Sequence, residues 1–210
     1  MKRTFSIVLA LACLPALLGA QDLPALQKLF EAGKNNEVIA AIPADTSNPS
    51  ALFLLGQVSE KLRDRDTART AYKKIASLLP ESDAWHFVGM SAAQLVDADI
   101  SNERDWRAAH ARLREWAETA AKMKPDLFEA QYQLGLAYVS IDYHDDATEA
   151  FNRAAKLNPT CAYCFYYGGH SQYLAQHYDK ATPLFETFLK MAPDAPERTE
   201  VQRLMKTAGR

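Results

Sequence analysis

Four prolines that recur at a regular interval restrict the fold of this chain more than any other feature. Pro125, Pro159 and Pro193 are 34 residues apart, and Pro80 precedes Pro125 by 45 residues. Proline stops a helix because it lacks an N–H group and its ring clashes with the preceding turn. A recurrence of this length predicts short helical units that stack one on the next.

The residues between the prolines also recur. Small residues and large aromatic or aliphatic residues recur at similar distances before each of these prolines. The three best-matched sets are Leu55, Gly56, Ala68, Tyr72 and Ile75, then Leu134, Gly135, Tyr138, Ala147, Phe151 and Ala154, then Gly168, Gly169, Ala181, Phe185 and Phe188.

This pattern resembles the tetratricopeptide repeat, and the resemblance covers residues 49–195. It implies an all-α fold, a right-handed α-solenoid of helix-turn-helix repeats with a C-terminal capping helix. The resemblance places glycine and alanine where the two helices of a repeat approach most closely, with tyrosine and phenylalanine filling the space between them. Neither helix buries its apolar face alone, so a core forms only when neighbouring repeats stack.

The prolines divide this part of the chain into four predicted repeats, at 49–81, 82–127, 128–161 and 162–195. The second repeat is about twelve residues longer than the others, through an insertion near 97–108. The insertion is either a loop with one or two extra helical turns or a protrusion that serves a partner.

Both ends of the chain extend the helical pattern. Residues 21–48 are predicted to form a degenerate pair of helices, with Leu26, Leu29 and Phe30 on one face. Residues 196–210 are predicted to form an amphipathic capping helix, because Val201 and its neighbours place apolar groups on one side only.

Residues 1–20 have the layout of a secretory signal peptide. Lys2 and Arg3 precede an apolar run at 5–18, and Gly19-Ala20 gives a site for cleavage. The alternative is an uncleaved membrane anchor, although the run is shorter than the roughly 20 residues that span a bilayer. We therefore expect an exported protein, periplasmic or secreted, with no transmembrane segment after removal of the signal.

The charge of the chain argues against nucleic acid as a partner. The sequence has 24 Lys and Arg residues and 26 Asp and Glu residues, so the formal net charge is −2. Removal of Lys2 and Arg3 with the signal would change the net charge to −4. Such a chain lacks the basic excess that phosphate contacts need.

Residues that could carry chemistry are few. No phosphate-binding glycine loop, nucleophile elbow or zinc-protease motif is present, so we expect no enzyme activity, no cofactor and no metal site. The sequence Cys161-Ala162-Tyr163-Cys164 is the exception. Haem attachment is excluded because Phe165 stands where histidine is required. A local disulfide is predicted, and a thiol-redox role or a pair of free thiols are the alternatives.

The resemblance also implies a concave groove lined by the first helix of each repeat. The residues at groove positions are largely aromatic and uncharged, and tyrosine is well suited to binding surfaces. Packing of these rings against neighbouring repeats is the alternative. The predicted groove residues are Phe53, Gln57, His86, Met90, Tyr132, Leu136, Val139, Tyr163, Tyr166, His170 and Tyr173.

The sequence therefore predicts a non-enzymatic protein–protein interaction scaffold, in a cell envelope, that binds a protein or peptide in this groove. A thiol-redox protein and a structural module of a larger envelope assembly are the competing hypotheses.

Overall fold

The computed structural model of the chain describes residues 22–97 and 103–209. Within these ranges it contains eleven α-helices and no strand. The predicted signal segment at 1–20 lies outside the described residues, as does part of the insertion. The helices are α1 (Leu23–Glu31), α2 (Asn35–Ala41), α3 (Pro49–Lys61), α4 (Arg65–Leu78), α5 (Ala84–Asp97), α6 (Glu103–Met123), α7 (Phe128–Val139), α8 (His144–Leu157), α9 (Ala162–Leu174), α10 (Tyr178–Met191) and α11 (Arg198–Ala208).

Helices α3 to α10 form four consecutive pairs, each packed against the next along the chain. Helix α11 covers the last pair and buries Val201 against α10, while the opposite face of α11 stays exposed. The predicted all-α solenoid is confirmed. The prolines act as predicted, because α4, α6, α8 and α10 each end two residues before a recurring proline.

The same backbone turn joins the two helices of several pairs. Gly33, Arg63, Asp142 and Gln176 all adopt positive φ values between 60° and 73°. In each turn the next N–H group donates to the carbonyl five residues earlier, at 2.8–3.0 Å. This is the Schellman arrangement that closes a helix C-terminus. The turn at Gly33 shows that the α1–α2 pair is built like a repeat, although its helices are shorter.

Close approach of the two helices in a repeat depends on glycine. A Cβ atom at Gly135 or Gly169 would lie 2.7 Å from an aromatic ring of the second helix, closer than packed carbon atoms come. Three repeats share this contact. The pairs are Gly56 with Tyr72, Gly135 with Phe151, and Gly169 with Phe185.

The second repeat departs from this rule. Gly89 faces the helix before it rather than α6, because a Cβ there would lie 2.7 Å from the carbonyl oxygen of Tyr72 and 2.8 Å from the backbone nitrogen of Ala76. Helix α6 has 21 residues where the other second helices have 14. Its buried side chains include Leu113 and Ala117.

Substitution of two glycines tests this packing. We expect Gly89→Ala to lower the free energy of unfolding by about 1–3 kcal/mol, because the new methyl group meets backbone atoms that cannot rotate away. Gly168→Ala is the matched control, since its Cβ would lie 3.7 Å from the nearest atom. Helix propensity predicts that this control is neutral or gains up to about 1 kcal/mol. Equal denaturant midpoints for the two variants would contradict the assigned close approach.

Candidate functional site

Helix α1 lies against the concave face, which we define as the inward surface of α3, α5, α7 and α9. Leu26 and Phe30 of α1 are 0% and 3% exposed. Phe30 borders a cavity of about 250 Å³ that all four first helices line. The residues around this cavity, apart from Phe30, are Gln57, Glu60, Lys61, Leu95, Tyr132, Leu136 and Tyr167.

The contact surface for α1 is part of a continuous aromatic cluster. The ring centroid of Phe30 lies 5.2 Å from that of Tyr163, and Tyr163 lies 5.8 Å from Phe188 of α10. Tyr132 is 6.3 Å from Phe53 and 6.1 Å from Tyr167 in edge-on arrangements. Ring pairs at these separations gain energy beyond their area burial, so α1 docks on a packed aromatic surface.

Glu31 adds a polar contact at the end of α1. Its carboxylate accepts a hydrogen bond from the backbone N–H of Ala162 at 3.1 Å, at the first turn of α9. The positive end of a helix dipole stabilises a carboxylate in this position. Gln27 also donates to Glu31, at 3.2 Å. Burial nevertheless raises the pKa of Glu31, because desolvation outweighs these hydrogen bonds and the nearby charge of Lys28.

A charged bridge joins the two ends of the concave face. Lys61 of α3 forms an ion pair with Glu197, which immediately precedes α11. The hydroxyl of Tyr163 donates to the same carboxylate at 2.8 Å, and the ammonium of Lys61 lies 4.2 Å from the Tyr163 ring centroid. Burial and the Glu197 charge raise the pKa of Tyr163, so its hydroxyl remains a donor.

Four of the predicted groove residues are buried, which agrees with the packing alternative at these positions. Phe53, Tyr132 and Tyr163 are 2–3% exposed, because α1 and the neighbouring repeats cover them. Tyr166 is 9% exposed and packs on Phe188, with a ring separation of 5.3 Å.

His86 does not face the groove. Its Nδ1 lies 2.9 Å from the carbonyl oxygen of Ala76 and 3.1 Å from that of Leu79, so the ring packs at the end of α4. Met90 is one helical turn further along the same face and is half-buried. His86 and Met90 were assigned to the groove by aligning Gly89 with Gly56 of the first repeat. In the structure Gly89 faces α4 instead, so the two residues lie on a different side of α5 from the one that this alignment implies. Trp85, 6.5 Å from Phe53, is the aromatic residue of α5 that meets the cluster.

The remaining predicted residues are partly accessible. Gln57 and Leu136 line the cavity around Phe30, as predicted for groove positions. Val139, His170 and Tyr173 are half-buried, and burial lowers the pKa of His170. Tyr173 lies near the end of α9, and its ring centroid is 5.2 Å from that of Tyr178.

Sequence reasoning missed several residues of the concave face. Glu60, Lys61 and Leu95 are not at the positions carried over from the repeat pattern, yet all three border the cavity around Phe30. Tyr167 stacks on Phe151 with ring centroids 5.6 Å apart. Its place four residues after Tyr163, on the same side of a helix, is the signal that could have identified it.

Cys161 and Cys164 are joined by a disulfide in the structure, with their Cα atoms 5.5 Å apart. Both residues are buried, at 1% and 2% exposure, and the Cys161 sulfur accepts a hydrogen bond from the Cys164 backbone N–H. A redox partner needs to reach a sulfur atom, so this burial does not favour the thiol-redox hypothesis. In the described part of the chain no three His, Cys, Asp or Glu side chains cluster as metal ligands would.

Comparison with known proteins agrees with the helical pairs. Two family models, both described as tetratricopeptide repeat, match residues 50–82 and 128–161. The chain is a tetratricopeptide repeat (TPR) protein. Its fold is the kind that serves as a protein–protein interaction scaffold. No curated protein matches it significantly in sequence. Over residues 22–97 and 103–209, no helix has the length and apolar character needed to cross a membrane.

Solved TPR structures share this fold. TTC0263, a thermophilic TPR protein in Thermus thermophilus, superimposes with a TM-score of 0.63 and 17% identity, over 89% of this chain and 96% of that protein. YrrB, described as a TPR protein with an unusual peptide-binding site, gives a TM-score of 0.51 and 17% identity, over 88% of each chain.

The buried carboxylate of Glu31 provides a test of how α1 is held. Glu31→Ala removes the acceptor for the Ala162 N–H group, and we expect a loss of about 1 kcal/mol, as for a lost helix cap. Glu31→Gln keeps an acceptor and removes the charge. Because the raised pKa means that the folded state binds the proton more tightly, wild-type stability decreases as pH rises above the ordinary glutamate range.

Urea titrations at pH 4 and pH 7 measure this effect. The stability of Glu31→Gln relative to wild type should be greater at pH 7 than at pH 4. A difference of the opposite sign would show that the carboxylate is stabilised in its ionised form.

Tyr166 and Tyr173 were both predicted to line the groove, but they differ in burial. Tyr166→Ala should lower the free energy of unfolding by about 3 kcal/mol, because it removes a ring from the core. Tyr173→Ala should cost about 1 kcal/mol, since that ring is half-exposed near a turn. Chemical denaturation of both variants measures the difference, and an unchanged midpoint for Tyr166→Ala would place its ring outside the core.

Proposed function

We propose that this TPR protein is an exported, non-enzymatic scaffold of a bacterial cell envelope that binds a helical segment of a partner protein on its concave face. One observation supports this most directly. The concave face holds an amphipathic helix, α1, through apolar side chains and one carboxylate. A surface that accommodates one helix has the shape and chemistry to accommodate another.

The concave face also leaves space beside α1. A second cavity, of about 220 Å³, lies between α1 and the first turns of α3 and α7, and Gln57 lines both this cavity and the one around Phe30. Aromatic walls with a few polar groups are typical of binding sites. In YrrB, a protein of the same fold, a peptide-binding site has been described.

Two features support export. The basic start, the apolar run at 5–18 and Gly19-Ala20 are typical of a signal peptide. The disulfide between Cys161 and Cys164 belongs to a class of bonds that persists in oxidising compartments such as the periplasm. Together these features favour a periplasmic or secreted protein.

A cleft on another side of the protein is a second candidate surface. It lies between α6 and the turn before α8, has a volume of about 250 Å³, and includes the exposed rings of Trp106 and Tyr143. The additional length of α6 supplies one wall of this cleft. This surface would suit the structural-module hypothesis, in which a larger assembly uses faces other than the concave one.

Site-specific photo-crosslinking in living cells distinguishes these surfaces. A benzophenone amino acid would replace Gln57 on the concave face, Ala111 in the α6 cleft, or Asn152 on the exposed side of α8. We expect one discrete crosslinked protein from position 57 and none from position 152. The adduct should be recovered from the compartment outside the cytoplasm, with residues 1–20 absent from the mass of the TPR protein.

Other outcomes would contradict the proposal. A discrete adduct from position 111 alone would move the binding surface to the α6 cleft. Equal labelling at positions 57 and 152 would show non-specific contact. Retention of residues 1–20 on a cytoplasmic protein would exclude export.

A further inference from the structure

We infer that α1 is a displaceable internal ligand of the concave face, and that the partner helix carries the same recognition pattern. The pattern is an aliphatic residue, a phenylalanine four positions later and an acidic residue directly after the phenylalanine. This inference rests on the proposed function and specifies the partner's chemistry. The pattern is that of Leu26, Phe30 and Glu31, the three residues of α1 that are buried.

Each position of the pattern meets a different feature of the concave face. Phe30 packs its ring on Tyr163, 5.2 Å between centroids, and borders the cavity lined by α3, α5, α7 and α9. Glu31 accepts the Ala162 N–H at the start of α9, where the first N–H groups of a helix have no acceptor within the helix. Leu26 lies one turn before Phe30 on the same side of the helix, so the three groups reach the face together.

The repeats do not need α1 to complete their own helix pairs. The glycine–aromatic contacts of α3 with α4, α7 with α8 and α9 with α10 involve no residue of α1. Helix α1 has only nine residues, and helices this short are marginal without tertiary contacts. Its removal therefore leaves a paired solenoid with an uncovered apolar face, and the released segment loses its helical order.

The charged bridge keeps the face in a shape that fits a helix. Glu197 holds Lys61 from the first repeat and Tyr163 from the fourth, so both sides of the face are fixed relative to each other. None of these three residues belongs to α1. The bridge can therefore persist while one helix leaves and another enters.

A tethered helix competes strongly with a free one. A segment joined by a short linker acts at an effective concentration of order millimolar, which lowers the apparent affinity of any competing helix. We therefore expect the wild-type protein to bind a free α1 peptide weakly. A variant whose own α1 cannot dock should bind the same peptide much more tightly.

Peptide binding to an emptied face tests the inference. The double variant Leu26→Asp, Phe30→Asp places charges where apolar groups dock, and the probe is a fluorescent peptide of residues 22–33 followed by fluorescence anisotropy. We expect at least about tenfold tighter binding to the variant than to wild type. A peptide with Phe30→Ala should bind at least about tenfold more weakly than the parent peptide, and one with Glu31→Ala about fivefold more weakly. A peptide with Lys28→Arg, which keeps the charge of an exposed residue, should bind as the parent does.

Two results would overturn the inference. The first is that the peptide does not bind a double variant that keeps the wild-type circular dichroism spectrum and a cooperative melt. The second is that the peptide binds the variant and the wild type equally. If the double variant does not fold, hydrogen exchange of the wild-type protein decides. Amides of α1 that exchange well before those of α7 and α9 support a displaceable helix. Exchange of α1 only through global unfolding overturns it.

The experiments distinguish failure of the proposed function from failure of this inference. A partner crosslinked at position 57, combined with no binding of the peptide to the emptied face, would leave the proposed function standing and exclude α1 as a model of the partner. Peptide binding without any crosslink at position 57 would leave the internal ligand standing and exclude the concave face as the partner site in cells.

Discussion

The close approach of paired helices at glycine is the contact on which the rest of the structure depends. At Gly56, Gly135 and Gly169 the absence of a side chain lets an aromatic ring of the second helix lie directly against the first. This contact sets the separation and tilt of three of the four pairs, and each pair stacks on the next because it cannot bury its apolar surface alone. The concave face is the consequence, since the first helices all turn the same side inward.

That face is apolar, and the chain covers it with its own first helix. An apolar surface left open to water is a liability for a folded protein, and α1 covers this one by burying Leu26 and Phe30. Glu31 and the bridge from Lys61 through Glu197 to Tyr163 surround the docked helix with polar contacts at its end. The same features that make α1 a good cover define a binding surface for a helix of similar pattern.

The second repeat shows why the groove was only partly predictable. Gly89 looks like the glycines of the other repeats in sequence, but its neighbour is the backbone of α4 rather than a ring of its own repeat. A glycine permits close approach without specifying what approaches. His86 and Met90 were therefore assigned to the wrong face, whereas Gln57 and Leu136, in repeats with the regular spacing, border the predicted groove.

The sequence by itself determined the helical pairs, because proline stops, glycine close contacts and the alternation of small and aromatic residues act within about 34 residues of chain. It also identified the amphipathic character of α1 and α11. Only the tertiary structure decided that α1 lies across the concave face, since the contacts of Phe30 with Tyr163 and of Glu31 with Ala162 join residues more than 130 positions apart. Periodicity records which side of a helix is apolar, but the surface that covers that side depends on how the whole solenoid curves.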